Sequence, residues 1–141
     1  MTKYSVTRSI SATPETIWAL LTDAENYPSW NPAVLGIEGR IAEGERIHLK
    51  SIVNPDRVFK LKVSDVDAPS SMVWSDGMPL GLFTGARTFT LAPSGDGTTE
   101  FSMEEVYTGL MAGLITKSIP DMTDSFNQFA DGLKQAAEAQ T

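Results

Sequence analysis

The residues best suited to chemistry are Arg87, Glu105 and Tyr107. Arg87 stands in the alternating run "GLFTGARTFTL", where Phe83, Arg87, Phe89 and Leu91 fall on one face. Glu105 and Tyr107 end the run "FSMEEVY", where they share a face with Phe101 and Met103. A charge on a face otherwise given to Phe, Leu and Met is unfavourable unless it is paired. The turn "PSGDG" between the two runs leaves two same-face registers. One sets Arg87 directly opposite Glu105; the other sets Glu105 opposite Gly85 and diagonal to Arg87. Either lets the guanidinium reach the carboxylate. Such a pair has three uses: a structural salt bridge, an anchor for the polar group of a mostly apolar ligand, or a catalytic carboxylate. A carboxylate held by a cation is a poor general acid, which puts catalysis last.

Few other residues compete. Asp65 is the further acidic group open to an acid–base mechanism. His48 is the single histidine. In "ERIHLKSI" it alternates with Ile47 and Leu49, which take the apolar face, so it is expected to face solvent. One histidine and no cysteine exclude poly-histidine and thiolate metal sites. "PSGDG" is glycine-rich, but no helix follows it, so it reads as a hairpin turn and not as a phosphate cradle. No nucleophile elbow is present either. Neither a cofactor nor a metal is expected.

Elements must position the pair. The chain has 141 residues and reads as one domain spanning 1–141, with a formal net charge of −7. That charge argues against nucleic acid or an anionic membrane surface as the partner. No apolar block long enough to span a membrane is found, and "MTKYSVTRSI" has no signal-peptide pattern, so a cytoplasmic location is expected. "KYSVTRSI" sets Tyr4, Val6, Arg8 and Ile10 on one face of a first strand. "SATPETIWALLTD" then forms a short helix, capped by Ser11 or Thr13 with Pro14 in its first turn. "DAENYPSWNP" breaks it. From Val34 the period becomes two, and six strands are expected near 34–40, 45–53, 57–67, 71–76, 82–92 and 98–107. The turns are "AEG", "NPD", "APSS", "DGMPLG" and "PSGDG". Short connections imply an antiparallel meander. Within it Phe59, Leu61 and Val63 oppose Lys60 and Lys62, and Met72 and Trp74 form a similar inner pair.

The last third is helical in pattern. Ile115, Ile119, Met122, Phe126, Phe129, Leu133 and Ala137 make one apolar stripe. Pro120 should kink the helix or restart it, with Ser118 as cap and Asp121 three residues on. A long helix with one apolar stripe must lie on a sheet. The expected class is therefore α+β.

"ISATPETIWALLTDAENYPSWNP", "GTTEFSMEEVYTG" and the C-terminal "FNQFADGLK" together resemble the START-related superfamily, which includes polyketide cyclase/dehydrase-like and birch-pollen-allergen-type proteins. The resemblance implies a helix-grip fold: a seven-stranded curved antiparallel sheet wrapped around a long C-terminal helix, with two short helices after the first strand. It implies that Trp30 roofs or plugs a cavity with Tyr27 beneath it; a ring that only anchors a loop is the alternative. It also favours a hollow over a solid core. The expected lining is Trp30, Phe59, Leu61, Trp74, Phe83, Arg87, Phe89, Phe101, Met103, Glu105, Tyr107, Met122 and Phe126. Such a hollow suits a hydrophobic small molecule: a lipid, a polyketide-like compound or an aromatic one. An enzyme of the cyclase/dehydrase kind acting in the same hollow is the second reading. An interaction module like the Hsp90-activator branch is the third, but no apolar outer face supports it. Oligomeric state has no signature in the sequence.

Overall fold

The computed structural model describes residues 2–118 and 120–140, with the side chains of Thr2 and Ser118 left aside. Strand β1 (Thr2–Ile10) leads into helix α1 (Pro14–Leu21), a 3-10 turn (Ala24–Asn26) and the four-residue helix α2 (Tyr27–Trp30). Five of the six remaining strands follow in order as β2 (Val34–Glu38), β3 (Arg46–Ser51), β4 (Asn54–Asp67), β5 (Ser71–Met78) and β6 (Phe83–Pro93). Strand β7 (Thr99–Thr108), the short helix α3 (Ala112–Ile115), a second 3-10 turn (Thr116–Ser118) and the long helix α4 (Thr123–Glu138) complete the chain.

The strands form one seven-stranded sheet in the order β1-β7-β6-β5-β4-β3-β2. Every pairing is antiparallel. Register shifts interrupt β2–β3, β3–β4 and β4–β5. Bulges of this kind bend a sheet and deepen its twist, and here they let it curl around α4. Asp65 sits in the β4–β5 irregularity with φ 52°.

Helix α4 closes the grip. Its buried residues, Phe126, Phe129, Ala130, Leu133 and Ala137 among them, step by three and four against the sheet. Polar contacts fix its position over β1: Arg8 Nε donates to Asp131 at 2.8 Å, Arg8 Nη2 to Asn127 at 3.0 Å, and Lys134 Nζ to the Ser9 carbonyl at 2.6 Å. At α1 the cap is Thr13, whose hydroxyl accepts from the Thr16 amide at 3.2 Å.

Three local expectations are decided or changed. Of the two outcomes expected at Pro120, a kink or a restart, the structure shows the restart: α3 ends at Ile115 and α4 begins at Thr123. The residue before α4 is Met122, which gives no side-chain cap, while Asp121 accepts from the Thr123 amide at 2.9 Å. Ile119, expected on the stripe, lies outside the described residues, as does the side chain of Ser118, the expected cap. The third change is at "NPD": Asn54 already pairs with Ser51, so the turn is Ile52 and Val53. Pro55 is tolerated in β4 because the pairing with β5 reaches only to Lys62, which leaves that end of the strand unpaired on one side.

Candidate functional site

Between sheet and helix lies a hollow of about 450 Å³. Strands β2 to β7 supply its floor, and Ile115, Pro120, Met122, Ser125 and Phe129 supply its roof. It is hollow for a reason written in the backbone. Helix α4 starts only at Thr123, so the open end of the sheet has no long helix lying across it. Gly85 removes a side chain from the floor, and the Tyr107 ring leans over it; a Cβ there would meet the ring at 3.2 Å.

Arg87 and Glu105 are direct partners in the β6–β7 ladder, the first of the two registers. Arg87 Nε donates to Glu105 Oε1 at 2.8 Å. The two side chains keep only 14% and 15% of their exposure. Tyr107 lies two residues on, on the same face, and its hydroxyl donates to Glu105 Oε2. Both carboxylate oxygens are thus engaged. The guanidinium also lies 4.7 Å from the centroid of the Phe126 ring, a cation–π contact that fixes its plane from behind. Burial, reinforced by the Glu105 charge and the hydrogen bond to it, pushes the Tyr107 phenol well above its ordinary pKa. It therefore stays protonated and acts as a donor.

The expected lining divides in two. Phe59, Leu61, Trp74, Phe83, Arg87, Glu105, Tyr107 and Met122 border the hollow. Trp30, Phe89, Phe101, Met103 and Phe126 do not, and the reason is packing. Phe89, Phe101 and Met103 share the inner face but lie further along the sheet, where α4 covers it and they are fully buried. Phe129 fills that region, 5.8 Å from Phe89 and stacked on Phe101 at 6.5 Å. Phe126 stands behind the guanidinium, against Tyr4. Trp30 packs on Tyr27 at 4.8 Å and on Phe129 at 5.7 Å, so it closes the filled end and does not roof the hollow. Tyr27 is fully buried and donates to the Leu21 carbonyl at 2.5 Å. Among the described residues the indole nitrogens of Trp30 and Trp74 find no acceptor.

Other residues of the site were not expected. Asn54, Arg57 and Asp76 stand at the rim, with Arg57 4.7 Å from the Phe59 ring centroid. Arg57 shares the parity of Phe59, Leu61 and Val63, and that alternation is the signal by which the sequence places it on the inner face near the start of β4. His48 and Asp65 are exposed and away from the hollow, which removes both from any acid–base scheme there. Among the described residues no group of three His, Cys, Asp or Glu is placed to hold a metal, and no helix is long and apolar enough to cross a membrane.

Known proteins share this architecture. A hypothetical protein from Helicobacter pylori superposes with a TM-score of 0.78 at 12% identity, over 96% of this chain and 88% of its own. A START superfamily protein from Mycobacterium smegmatis gives 0.72 at 20%, over 99% of both chains. A norcoclaurine synthase from Thalictrum gives 0.71 at 15%, over 99% of this chain and 96% of its own. At these identities the likeness concerns the fold. No curated protein matches by sequence. The family model described as polyketide cyclase/dehydrase and lipid transport matches residues 1–138, and the chain belongs to that family.

Proposed function

We propose that this protein binds and carries a mostly apolar small molecule, seated between the sheet and α4. The observation that carries the reading is a hollow of about 450 Å³ with Phe59, Leu61, Trp74, Phe83 and Met122 in its wall, the linked group Arg87–Glu105–Tyr107 on its inner side, and the smaller buried polar residues Ser51 and Ser125. Volume and lining both match a small-molecule site, for which roughly 300–1,000 Å³ and a few convergent polar groups are typical. The membership in a family named for both cyclisation and lipid transport agrees with it.

Titration with an environment-sensitive apolar dye tests the reading. Saturable binding at micromolar dye, displaced by polycyclic or long-chain compounds and not by nucleotides or sugars, is the expected result. A folded sample that takes up no apolar probe defeats it.

Turnover of the cyclase/dehydrase kind is the second reading. What favours it is the linked chain Tyr107–Glu105–Arg87 on the cavity wall, two titratable groups and a cation in contact. Against it, both oxygens of Glu105 are already engaged and the phenol is held protonated, so neither is poised as a base. Mass spectrometry of displaced ligands separates the two: a carrier returns its ligand unchanged.

A further inference from the structure

We propose that Arg87 selects neutral carbonyl compounds and that the cavity rejects carboxylates, an inference that rests on the small-molecule reading above. The guanidinium carries five N–H donors. One, on Nε, is given to Glu105. Among the described residues no acceptor meets Nη1 or Nη2, although Arg87 borders the hollow and its side chain is only 14% exposed. The group is already aimed and held: Glu105 fixes its edge, Tyr107 fixes Glu105, and the Phe126 ring lies against its plane. These nitrogens are not sealed off as the indole nitrogens of Trp30 and Trp74 are, so a ligand oxygen can reach them, and one that does takes the place of water on a donor group already held in position.

Charge decides which oxygen. The ionisable side chains bordering the hollow with a formal charge are Arg57, Asp76, Arg87 and Glu105, two of each sign. Arg57 and Asp76 are exposed at the rim, where water screens them. The inner pair is neutral by itself. A carboxylate brought to Arg87 becomes a second anion beside Glu105, with one cation to share in a low-dielectric pocket. It also gives up its own hydration. A ketone, ester or amide oxygen accepts the same hydrogen bonds, adds no charge and is far easier to desolvate. The Glu105 carboxylate thus does two things: it orients Arg87, and it cancels the charge that would otherwise attract acids.

A matched set on one skeleton tests this: naphthalene, 2-acetylnaphthalene and 2-naphthoate, each displacing the apolar dye at neutral pH. The native protein should bind the ketone about ten-fold or more tighter than the acid, and measurably tighter than naphthalene. Arg87→Met should erase the advantage of the ketone over naphthalene. Glu105→Gln keeps an oxygen for Arg87 Nε and turns an amide N–H toward the Tyr107 hydroxyl, which can accept it; it removes the compensating charge, so the preference should move toward the acid by about ten-fold. Acid binding as tight as ketone binding in the native protein overturns the proposal. So does a folded Glu105→Gln protein whose ketone-to-acid ratio is unmoved. If Glu105→Gln fails to fold, the native ratio alone decides. Dye bound with the wrong order sinks only the selectivity; no binding of dye or of any naphthalene sinks the small-molecule reading with it.

Discussion

The two ends of the grip use the same residue types and reach opposite results. At the closed end Tyr27, Trp30, Trp74, Phe89, Phe101 and Phe129 form one aromatic cluster, with ring centroids 4.6 to 6.5 Å apart. At the open end Phe59, Phe83 and Tyr107 line a void. Phe83 and Tyr107 stack at 5.9 Å and Tyr4 meets Tyr107 edge-on at 6.4 Å, yet both Phe83 and Tyr107 still border the hollow. Aromatic content therefore does not decide between core and cavity. Helix cover does. Over the closed end α4 and α2 press together, and Gly132 allows it: a Cβ at that position would stand 2.2 Å from the Trp30 carbonyl oxygen. Over the open end the helical run is interrupted before Thr123, and the cover comes from Ile115, Pro120, Met122 and the first turns of α4. Leu80 and Leu110, 93% and 88% exposed, stand in the β5–β6 turn and just before α3, beside that opening.

The sharpest way to break the comparison is Phe129→Ala. Phe129 touches four rings of the closed cluster and is 1% exposed. Its loss should cost about 3–5 kcal/mol, read as a lower urea midpoint. Phe83→Ala, at the open end, should cost clearly less and weaken dye binding instead, because its ring already faces a void. Equal stability losses would show that the two ends are packed alike.

Next in size is the pair between them. Arg87→Met strands Glu105 near the cavity wall and should cost about 3 kcal/mol, the lower part of the range for breaking a buried pair, since the hollow gives the charge some access to water. Arg87→Met with Glu105→Leu should recover part of that. Strictly additive losses in a double-mutant cycle would mean that the 2.8 Å contact carries no coupling.

Gly132→Ala sharpens the role of helix cover. In an open helix this change should stabilise by roughly 1 kcal/mol. Here the added methyl meets backbone, so the sign reverses, with a loss of about 1–3 kcal/mol by overpacking. A thermal midpoint that rises would detach α2 from α4 and with it the account of the closed end.

The same contrast explains what could be read in the sequence. Period-two alternation gave all six strands after Val34, and parity of the "PSGDG" hairpin left Arg87 and Glu105 within reach of each other. These are local rules, and each was satisfied locally. The division of the inner face into filled and empty halves was not legible. Phe89 and Phe83 differ by six residues on one strand and obey the same alternation; only the starting point of α4, far off in the chain, separates them. Trp30 was misplaced for the same reason. Its neighbour Gly132 is more than a hundred residues away, and a lone glycine in a helix pattern gives no hint of what approaches it.

The smallest expected effect concerns the two tyrosines, one at each end. Burial pushes the Tyr27 phenol well above its ordinary pKa of about 10, and Arg87 opposes this only in part. Tyr107 moves the same way, by burial first and then by Glu105. In both cases the native state keeps a proton that the unfolded chain loses. Their contribution is complete below the unfolded pKa near 10 and declines as pH rises above it, by at most about 1.4 kcal/mol per pH unit for each phenol. Urea unfolding between pH 9 and 11 should show that decline, and Tyr27→Phe and Tyr107→Phe should each flatten it. Burial leads at both ends, and the difference is in what adds to it. Tyr27 is sealed by packing, whereas Tyr107 sits beside a carboxylate. Glu105→Gln should therefore relax part of the Tyr107 effect and leave that of Tyr27 unchanged. A slope that responds equally at both tyrosines would mean that Glu105 does not act on the phenol beside it.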